Sequence, residues 1–338
     1  MAQIKLVRPE TAFDCPAGDT VLRAALRAGL AFPYECNVGS CANCLFELVE
    51  GEVVHERVDA PGWSDRHKQR KRYLGCQSKA LGDCTIKVNL NDRYLPRFTP
   101  TRTLLTLTGI DDLTHDIREF RFKLSQPTRF LPGQYALLYV EGVVGARAYS
   151  MSNITDDGAE WHFQIKKVPG GACTGKMFAN LQPDSRIRVD GPYGMAYLRE
   201  DSARDLLCIA GGSGLSPMIS IARGFAASSV LAGRHLHFVY GGRQARDICG
   251  EPILRTLAGF GDRINYHPVI SNAADDPQGA SWHGRTGFAH EAALALHGEK
   301  LRDHEVYFAG PPAMATAVMK MLIDNKVPPA QIHFDQFY

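Results

Sequence analysis

Four of the nine cysteines stand at a spacing that leaves little freedom to the fold around them. Cys36, Cys41 and Cys44 follow the pattern Cys-x4-Cys-x2-Cys, and Cys76 lies far downstream. This is the plant-type spacing for a [2Fe–2S] cluster, in which each iron needs two thiolates. A structural zinc site usually pairs two short Cys-x2-Cys units, and buried core cysteines need no fixed spacing. The pattern therefore predicts a cluster with these four cysteines as its metal ligands.

Composition and charge exclude several classes of protein. The 338 residues fit two or three domains, and 45% hydrophobic with 22% charged residues is ordinary for globular proteins. The net charge of +2 gives no support for nucleic-acid or membrane binding. No apolar run approaches the roughly 20 residues of a membrane helix. With an odd cysteine count and no signal peptide at the start, we expect a cytoplasmic protein without a disulfide framework.

Local patterns change along the chain and predict separate domains. Short strands around one helix, capped by Asp19 or Thr20, are expected over residues 1–93. Residues 94–101 belong to a polar, proline-containing stretch that we interpret as a linker. Closely spaced short strands over residues 102–203 predict a small antiparallel barrel. From residue 204 to 338, apolar runs alternate with helical stretches, which favours a parallel sheet flanked by helices.

The cysteine loop carries the first resemblance to a known family. Residues 32–44 resemble the [2Fe–2S] ferredoxin part of bacterial oxygenase reductases. Gly39 and Ser40 lie where the backbone must curl around the cluster, and their amides are able to hydrogen-bond its sulfurs. Ala42 departs from the pattern, because many relatives carry glycine there. The resemblance implies a β-grasp ferredoxin fold for this region.

Three short motifs follow one another in the predicted barrel. Arg147-Ala-Tyr-Ser150 offers a guanidinium for a diphosphate, an aromatic ring and a hydroxyl. Gly170-Gly-Ala-Cys-Thr174 suits the start of a helix that holds phosphate at its N-terminus. Gly191-Pro-Tyr-Gly194 comes last. Taken alone, the first motif matches equally well a surface arginine beside a strand tyrosine.

The order of these motifs resembles the ferredoxin–NADP reductase superfamily. The residues that the resemblance places at a flavin or its diphosphate are Arg147, Tyr149, Ser150, Gly171, Cys173 and Thr174. A diphosphate site implies FAD rather than FMN. Phthalate dioxygenase-type relatives use FMN and carry their ferredoxin at the other end of the chain, so the N-terminal position here also favours FAD.

A glycine-rich loop predicts a nicotinamide site. Gly211-Gly-Ser-Gly-Leu-Ser-Pro217 follows a buried strand and precedes a helical stretch, as a dinucleotide phosphate loop requires. It resembles the superfamily variant G-G-x-G-x-x-P and not the G-x-G-x-x-G fingerprint; a tight turn without a ligand is the alternative. With two later strand ends, the residues implied to bind the cofactor are Gly211, Gly212, Gly214, Pro217, Tyr240, Gly241, Arg243, Gly310, Pro311 and Met314.

Two features bear on how the nicotinamide cofactor is used. Ala309 stands where relatives usually carry a cysteine, from which we expect a changed rate or affinity and not loss of function. Arg243 and Arg246 suit the 2′-phosphate of NADPH, whereas Asp247 suits the free 2′-hydroxyl of NADH. Relatives in oxygenase systems mostly use NADH, which is therefore the expected electron donor.

The C-terminus and one basic segment complete the candidate sites. In the superfamily a C-terminal aromatic commonly covers the flavin, a role that the resemblance gives to Phe337 or Tyr338. Together with Tyr149 and Ser150 these are the predicted catalytic residues. Anchoring of the terminus in the core is the alternative for both aromatics. The basic run of residues 67–72 is either a solvated helix face or a surface for an acidic partner.

The resemblance covers essentially the whole chain. It implies a multidomain protein with an α+β β-grasp ferredoxin, an antiparallel β-barrel flavin domain and an α/β parallel-sheet nicotinamide domain. Such a protein passes electrons from NADH to FAD, to the cluster and then to an oxygenase hydroxylase component or its Rieske ferredoxin. Residues 32–37 and 325–335 look most like reductases of toluene-type diiron monooxygenases, with Rieske ring-hydroxylating dioxygenases close behind. The alternatives are a reductase for an iron–sulfur dehydratase in deoxysugar synthesis and a redox-sensing binding protein.

Overall fold

The computed structural model describes residues 1–277 and 282–336, which divide into two compact units. The first unit contains residues 1–102, 146–148 and 190–193, and the second contains the remainder. The helices are α1 (Val21–Arg27), α2 (Asp65–Gln69), α3 (Ala172–Asn180), α4 (Leu215–Ala227), α5 (Glu251–Leu254), α6 (Ala289–His297) and α7 (Pro312–Asp324). Within the two described ranges, no helix is long and apolar enough to cross a membrane.

The first unit is built on a mixed sheet that packs against α1. Its strands are β1 (Ala2–Leu6), β2 (Thr11–Cys15), β3 (Leu45–Glu50), β4 (Val53–His55), β5 (Arg72–Leu74), β6 (Ser78–Ala80) and β7 (Cys84–Lys87). Their order in the main sheet is β2-β1-β7-β3-β5, and β4 pairs separately with β6. Because β1 pairs antiparallel with β2 and parallel with β7, this is the predicted β-grasp arrangement.

Both ends of helix α1 are determined by neighbouring residues in the sequence. The Thr20 side chain accepts a hydrogen bond from the Arg23 amide at 3.4 Å, so Thr20 is the N-cap. The helix ends at Arg27, and Gly29 takes a φ of 76°, as expected for a glycine stop. The stretch interpreted as a linker is partly structured: Asp92–Tyr94 forms a single 3-10 turn, and Tyr94 is buried.

The next region forms the predicted antiparallel barrel. Its strands are β8 (Thr101–Asp112), β9 (Ile117–Leu124), β10 (Tyr135–Tyr139), β11 (Arg147–Ser150), β12 (Glu160–Lys166) and β13 (Arg186–Tyr193), in the sheet order β11-β10-β13-β8-β9-β12. An antiparallel bridge between Met151 and Phe163 joins the two outer strands. Trp161 and the neighbouring aromatic side chains fill the interior.

A parallel sheet occupies the last third of the chain. Its strands are β14 (Asp205–Gly211), β15 (Leu236–Gly242), β16 (Ile264–Ile270), β17 (Arg285–Thr286), β18 (His304–Gly310) and β19 (Ile332–Gln336), in the order β17-β16-β15-β14-β18-β19. Alternate residues of β14 enter different cores, because Leu206 packs with α4 and Leu207 packs with α6 and α7. Helices therefore cover both faces of the sheet, and the carboxyl ends of its strands share one edge.

Buried charges connect distant segments within the first unit. Asp190 is completely buried and accepts hydrogen bonds from Arg27 Nη1 at 2.7 Å, from Arg102 Nε at 3.1 Å and from the Tyr193 hydroxyl at 2.6 Å. The same two arginines also pair with buried Asp19. Burial opposes ionisation of Asp190, but Arg27 outweighs it and lowers the pKa of the carboxyl. Asp190 is therefore charged and stabilising at neutral pH.

We expect Asp190→Asn to destabilise the first unit by about 3 kcal/mol, because it removes one partner of a buried charge pair. The native carboxylate contributes above the ordinary aspartate pKa of about 4, and its contribution is lost as pH falls through the lowered folded value. Urea unfolding at pH 7, followed by loss of cluster absorbance, therefore measures the full effect. Exposed Asp14→Asn, in the same unit, should change stability by less than about 0.5 kcal/mol. Equal midpoints for both variants would contradict the expectation.

Candidate cofactor sites

The loop between α1 and β3 contains three of the four predicted cluster ligands. Its backbone turns through left-handed conformations at Asn37 (φ 54°), Gly39 (φ 90°) and Ala42 (φ 63°). Such a φ favours glycine, which is consistent with the glycine that the resemblance implies at the position of Ala42. Gly62 lies against the inner side of this loop, since a Cβ there would come within 2.9 Å of the Ala42 nitrogen.

A buried arginine supports the loop and was missed by the sequence analysis. Arg23 is 8% exposed, and its Nε and Nη2 donate to Asn37 Oδ1 at 3.1 Å and to Asn37 O at 3.2 Å. An arginine inside the helix α1 normally faces solvent, and its helical position gave no sign of this contact. Arg23 therefore fixes the turn that precedes Gly39.

The four predicted ligands converge in two thiol pairs. Cys36 lies beside Cys41, and Cys44 lies beside Cys76 and near Cys41. The amides of Ser40 and Cys41 donate to Cys36 Sγ at 3.3 and 3.4 Å. The Cys41 thiol, together with these amides, lowers the pKa of Cys36 to about 5. Four sulfurs and amides that stabilise thiolate charge are what a [2Fe–2S] cluster requires, so the donor set fits it.

The predicted flavin residues occupy β11 and the start of α3. Within the second unit, the Tyr149 hydroxyl contacts Cys173 Sγ at 3.3 Å, which brings the first and second of the three barrel motifs together. Arg147 is exposed on the same strand, and Ser150 is buried at its end. Exposure leaves the Arg147 guanidinium accessible to an anionic ligand.

The turn before α3 is shaped like a phosphate-binding helix N-terminus. Gly170 has a φ of 69°, and Gly171 is the N-cap without a side-chain hydrogen bond. Thr174 Oγ1 accepts from the Val168 amide at 3.1 Å, which holds the turn closed. A Cβ on Gly171 would come within 2.7 Å of Thr174 Oγ1. A diphosphate fits a helix start that has no capping side chain of its own.

Serines on α4 hold the barrel against the glycine-rich loop. Ser216 Oγ donates to Ser150 O at 2.7 Å and accepts from the Gln164 amide at 3.1 Å. Ser220 Oγ donates to Asn153 O at 2.7 Å, and Arg223 Nη1 donates to Ser152 O at 2.8 Å. Ser216 lies in the glycine-rich motif, whereas Ser220 and Arg223 belong to no motif of the sequence. The three side chains are spaced four and then three residues apart, which puts polar groups on one face of an otherwise apolar helix, a signal that was available.

The predicted nicotinamide residues converge at the carboxyl ends of β14, β15 and β18. Gly211 pairs with Gly241, and a Cβ on Gly211 would come within 2.5 Å of Met314 Sδ. A Cβ on Gly214 would overlap the carbonyl carbon and oxygen of Ala309 and come within 2.9 Å of the Gly310 nitrogen. The turn thus needs glycine for close packing of strand and helix, as a dinucleotide-binding turn does.

Three other residues predicted to bind the nicotinamide cofactor lie around the glycine-rich loop. Tyr240 is fully buried, and its hydroxyl donates to Gly212 O at 3.2 Å, so its side chain braces the loop from inside. Pro217 is buried in the first turn of α4. Pro311 is exposed immediately before α7 and lies beside Gly211.

The groups considered for cofactor choice have different environments. The Arg243 side chain is 73% exposed, and Arg246 is exposed as well. Asp247 is buried, and its Oδ2 accepts from the amides of Arg243 and Gln244 at 3.0 and 3.1 Å. Its carboxylate therefore shapes the turn that presents the two arginines.

The predicted C-terminal aromatics, Phe337 and Tyr338, lie outside the described residues. The basic segment predicted at residues 67–72 starts in α2 and ends at the first residue of β5, and all of its residues are at least partly exposed. Ala309, at the usual cysteine position, is fully buried in β18 opposite Ala210.

Three protein families match successive parts of the chain. A 2Fe-2S iron-sulfur cluster binding domain covers residues 5–81. An oxidoreductase FAD-binding domain covers residues 104–197, and an oxidoreductase NAD-binding domain covers residues 208–320. The predicted cofactors, a [2Fe–2S] cluster, FAD and a nicotinamide dinucleotide, are confirmed by these matches. Together they define an electron-transfer flavoprotein with its own iron–sulfur domain.

Relatives cover the chain from end to end. The ferredoxin–NAD(P)+ reductase CarAd of Metapseudomonas resinovorans is 37% identical over the full length of both chains. The ferredoxin–NAD+ reductase component of the alkene monooxygenase system of Xanthobacter autotrophicus is 35% identical over 96% of this chain and 97% of its own. A solved ferredoxin reductase in carbazole 1,9a-dioxygenase has a TM-score of 0.90 at 34% identity, over 100% of this chain and 98% of its own. This chain belongs to the family of ferredoxin–NAD(P)+ reductase components of bacterial oxygenase systems.

Proposed function

We propose that the chain takes electrons from NADH and passes them through FAD and the [2Fe–2S] cluster to an oxygenase component or its ferredoxin. The hydrogen bond from Ser216 to Ser150 carries this proposal. It joins the end of the predicted flavin strand to the helix that begins at the predicted nicotinamide loop. The two candidate sites therefore share one wall within the second unit, which electron transfer between their cofactors requires.

Residues on either side of this wall have separate tasks. Arg147 and the start of α3 would hold the flavin diphosphate, while Tyr149 and Ser150 would border the ring. Gly211, Gly212 and Gly214 would let the nicotinamide cofactor approach the backbone. When bound, these cofactors supply the chemistry, because FAD accepts electrons in pairs and the cluster carries them singly. The four cysteines and their amide donors would set the charge that the cluster holds.

The domain limits proposed are 1–93, 102–203 and 204–338, with residues 94–101 as linker. Each of the three family matches lies inside one of these segments. Buried Tyr94, which packs its ring against Tyr34 with 6.3 Å between centroids, supports a linker that is anchored at its first residue.

NADH is the proposed donor, as expected for oxygenase systems, although two exposed arginines flank the loop. Buried Asp247 orders that turn through its amide bonds, so it would influence the ribose site through backbone position. The named relatives include reductases of a dioxygenase and of a monooxygenase, and the acceptor proposed here is correspondingly an oxygenase component or a ferredoxin. A cytoplasmic location is proposed because NADH is produced there.

An anaerobic NADH titration of the purified holoprotein tests this function. We expect bleaching of flavin absorbance together with a rhombic reduced-cluster signal in low-temperature EPR. NADPH, used at the same concentrations, should reduce the protein more slowly. Bleaching without the EPR signal would contradict the route through the cluster, and equal rates with both donors would contradict the choice of NADH.

A further inference from the structure

Four histidines meet at the edge of the parallel sheet opposite the glycine-rich loop. His237 and His304 lie at the starts of β15 and β18, His267 lies in the middle of β16, and His297 ends α6. The His297 ring lies 4.3 Å from that of His304 and 4.5 Å from that of His237, measured between centroids. Nothing in the cofactor route uses them.

Three of these rings can direct nitrogen atoms at a common point. One ring nitrogen each from His237, His297 and His304 lies within 4.8 Å of the other two. His304 Nδ1 is 2.8 Å from Lys300 O, which makes Nδ1 the donor and leaves Nε2 with a lone pair. His297 Nε2 is buried without a hydrogen-bond partner. An unpartnered buried nitrogen is costly, and a metal ion would satisfy it.

The fourth histidine is placed to orient the cluster. His237 Nδ1 lies 3.3 Å from His267 Nε2, with the two rings nearly parallel at 19°. Metal-bound imidazoles commonly use their second nitrogen for such a contact, which fixes ring orientation. The His304 bond to Lys300 O does the same for the second ligand.

Burial favours the neutral form of three of these rings, those of His237, His267 and His297. Burial, then the neighbouring histidines, lowers the pKa of His297 to about 3, and burial with His237 lowers that of His267 to about 4. Burial also lowers the pKa of His237, against the opposing effect of Asp205. Neutral imidazole is the ligand form. Partial exposure of His237, His267 and His297 leaves a way in for an ion.

We propose that His237, His297 and His304 form a binding site for one divalent transition metal ion, with Zn²⁺ as the expected occupant and His267 as an orienting partner. Three imidazoles with a fourth, open position for water are a known zinc arrangement. Imidazole donors also suit Cu²⁺ and Ni²⁺ but not Mg²⁺ or Ca²⁺. The ion would join β15 to α6 and β18, whose histidines lie 60 and 67 residues further along the chain.

This site is separate from the nicotinamide loop. His237 and Gly241 lie four residues apart on β15, which corresponds to about 13 Å at roughly 3.3 Å per residue. Substitutions at the histidines should therefore leave NADH-dependent flavin reduction unchanged, so metal binding and the reductase function can be tested independently.

The test is zinc titration of the cluster- and FAD-loaded protein, by calorimetry and by metal analysis after dialysis. We expect one Zn²⁺ per FAD with the iron content unchanged, which excludes zinc entering the cysteine site. His267→Gln removes only the orienting partner and should lower the zinc affinity by about 10–100-fold. His297→Gln and His304→Gln each remove a ligand and should lower the zinc affinity at least as much. His290→Gln, on the same helix, is the matched control and should bind zinc like the native chain.

Cu²⁺ provides a second readout that does not depend on the variants folding. The oxidised cluster and oxidised FAD give no EPR signal, so added Cu²⁺ is seen directly in the native holoprotein. Splitting from several nitrogen nuclei is expected from three imidazoles. A signal without nitrogen splitting, or zinc binding that persists in His297→Gln and His304→Gln with unchanged cluster absorbance, would overturn the proposal.

Discussion

Cys44→Ser is expected to abolish the [2Fe–2S] cluster while NADH continues to reduce the flavin. Cys44 is 2% exposed and paired with fully buried Cys76, so no other side chain can take its place as the fourth ligand. A serine hydroxyl at this position gives up its proton far less readily than a thiol, and iron–sulfur clusters are held by thiolates. Reduction of ferricyanide, which can accept electrons at the flavin, should persist. Reduction of cytochrome c through the cluster should fall to background.

Cys84→Ser is the matched control for this prediction. Cys84 is also buried in the first unit, but its Sγ donates to Glu52 O at 3.4 Å and to Gly82 O at 3.3 Å. A hydroxyl makes the same bonds, so iron content and both activities should be retained. Iron analysis, the reduced-cluster EPR signal and the two acceptor assays decide the outcome. A full cluster in Cys44→Ser would contradict the assignment of this ligand, and loss of flavin reduction would mean that the substitution acts beyond the cluster.

Features encoded over short stretches of sequence were predictable. The cysteine spacing determines which thiols meet, and the structure brings Cys36, Cys41, Cys44 and Cys76 together. Alternating and continuous apolar runs indicated the barrel and the parallel sheet, and the structure contains both. These patterns are legible because strand periodicity depends only on which face is buried.

Contacts between distant segments could not be predicted from short stretches of sequence. Arg23 faces inward because Asn37, fourteen residues away, needs a donor in the left-handed turn of the loop. Asp190 is paired with Arg27 across 163 residues. Tyr240 was predicted to bind the nicotinamide cofactor, and its buried hydroxyl donates to Gly212 O. In each case the partner is selected by tertiary packing, and single-residue propensity carries no information about it.

The histidine cluster is another contact between distant segments that the sequence does not reveal. His237, His267, His297 and His304 are scattered over 68 positions and resemble no short motif in the sequence. Parallel pairing of β15 with β16, and of β14 with both β15 and β18, is what brings the starts of these strands to one edge. Only a sheet of known order reveals that such residues are neighbours.

Gly214→Ala is expected to reduce kcat/KM for NADH by about 100-fold, because displacement of a binding loop by about 1 Å costs that much in catalysis. The added methyl would overlap the carbonyl carbon and oxygen of Ala309, which are backbone atoms in the centre of the sheet and cannot rotate away. The loop must therefore move away from β18, and with it Gly211 and Gly212. Overpacking of this kind also costs about 1–3 kcal/mol of stability. Stopped-flow reduction of the flavin by NADH measures the first effect, and thermal unfolding measures the second.

Gly233→Ala provides the comparison, because a Cβ at Gly233 would meet no atom within 4 Å. It lies in the same unit, in the turn before β15, and should leave both measurements unchanged. Since Gly214 packs against the strand that carries Ala309, FAD content and the cluster EPR signal should remain native in both variants. A Gly214→Ala protein that is reduced by NADH at the native rate would show that this glycine is required for folding alone, and that the cofactor does not depend on the position of the loop.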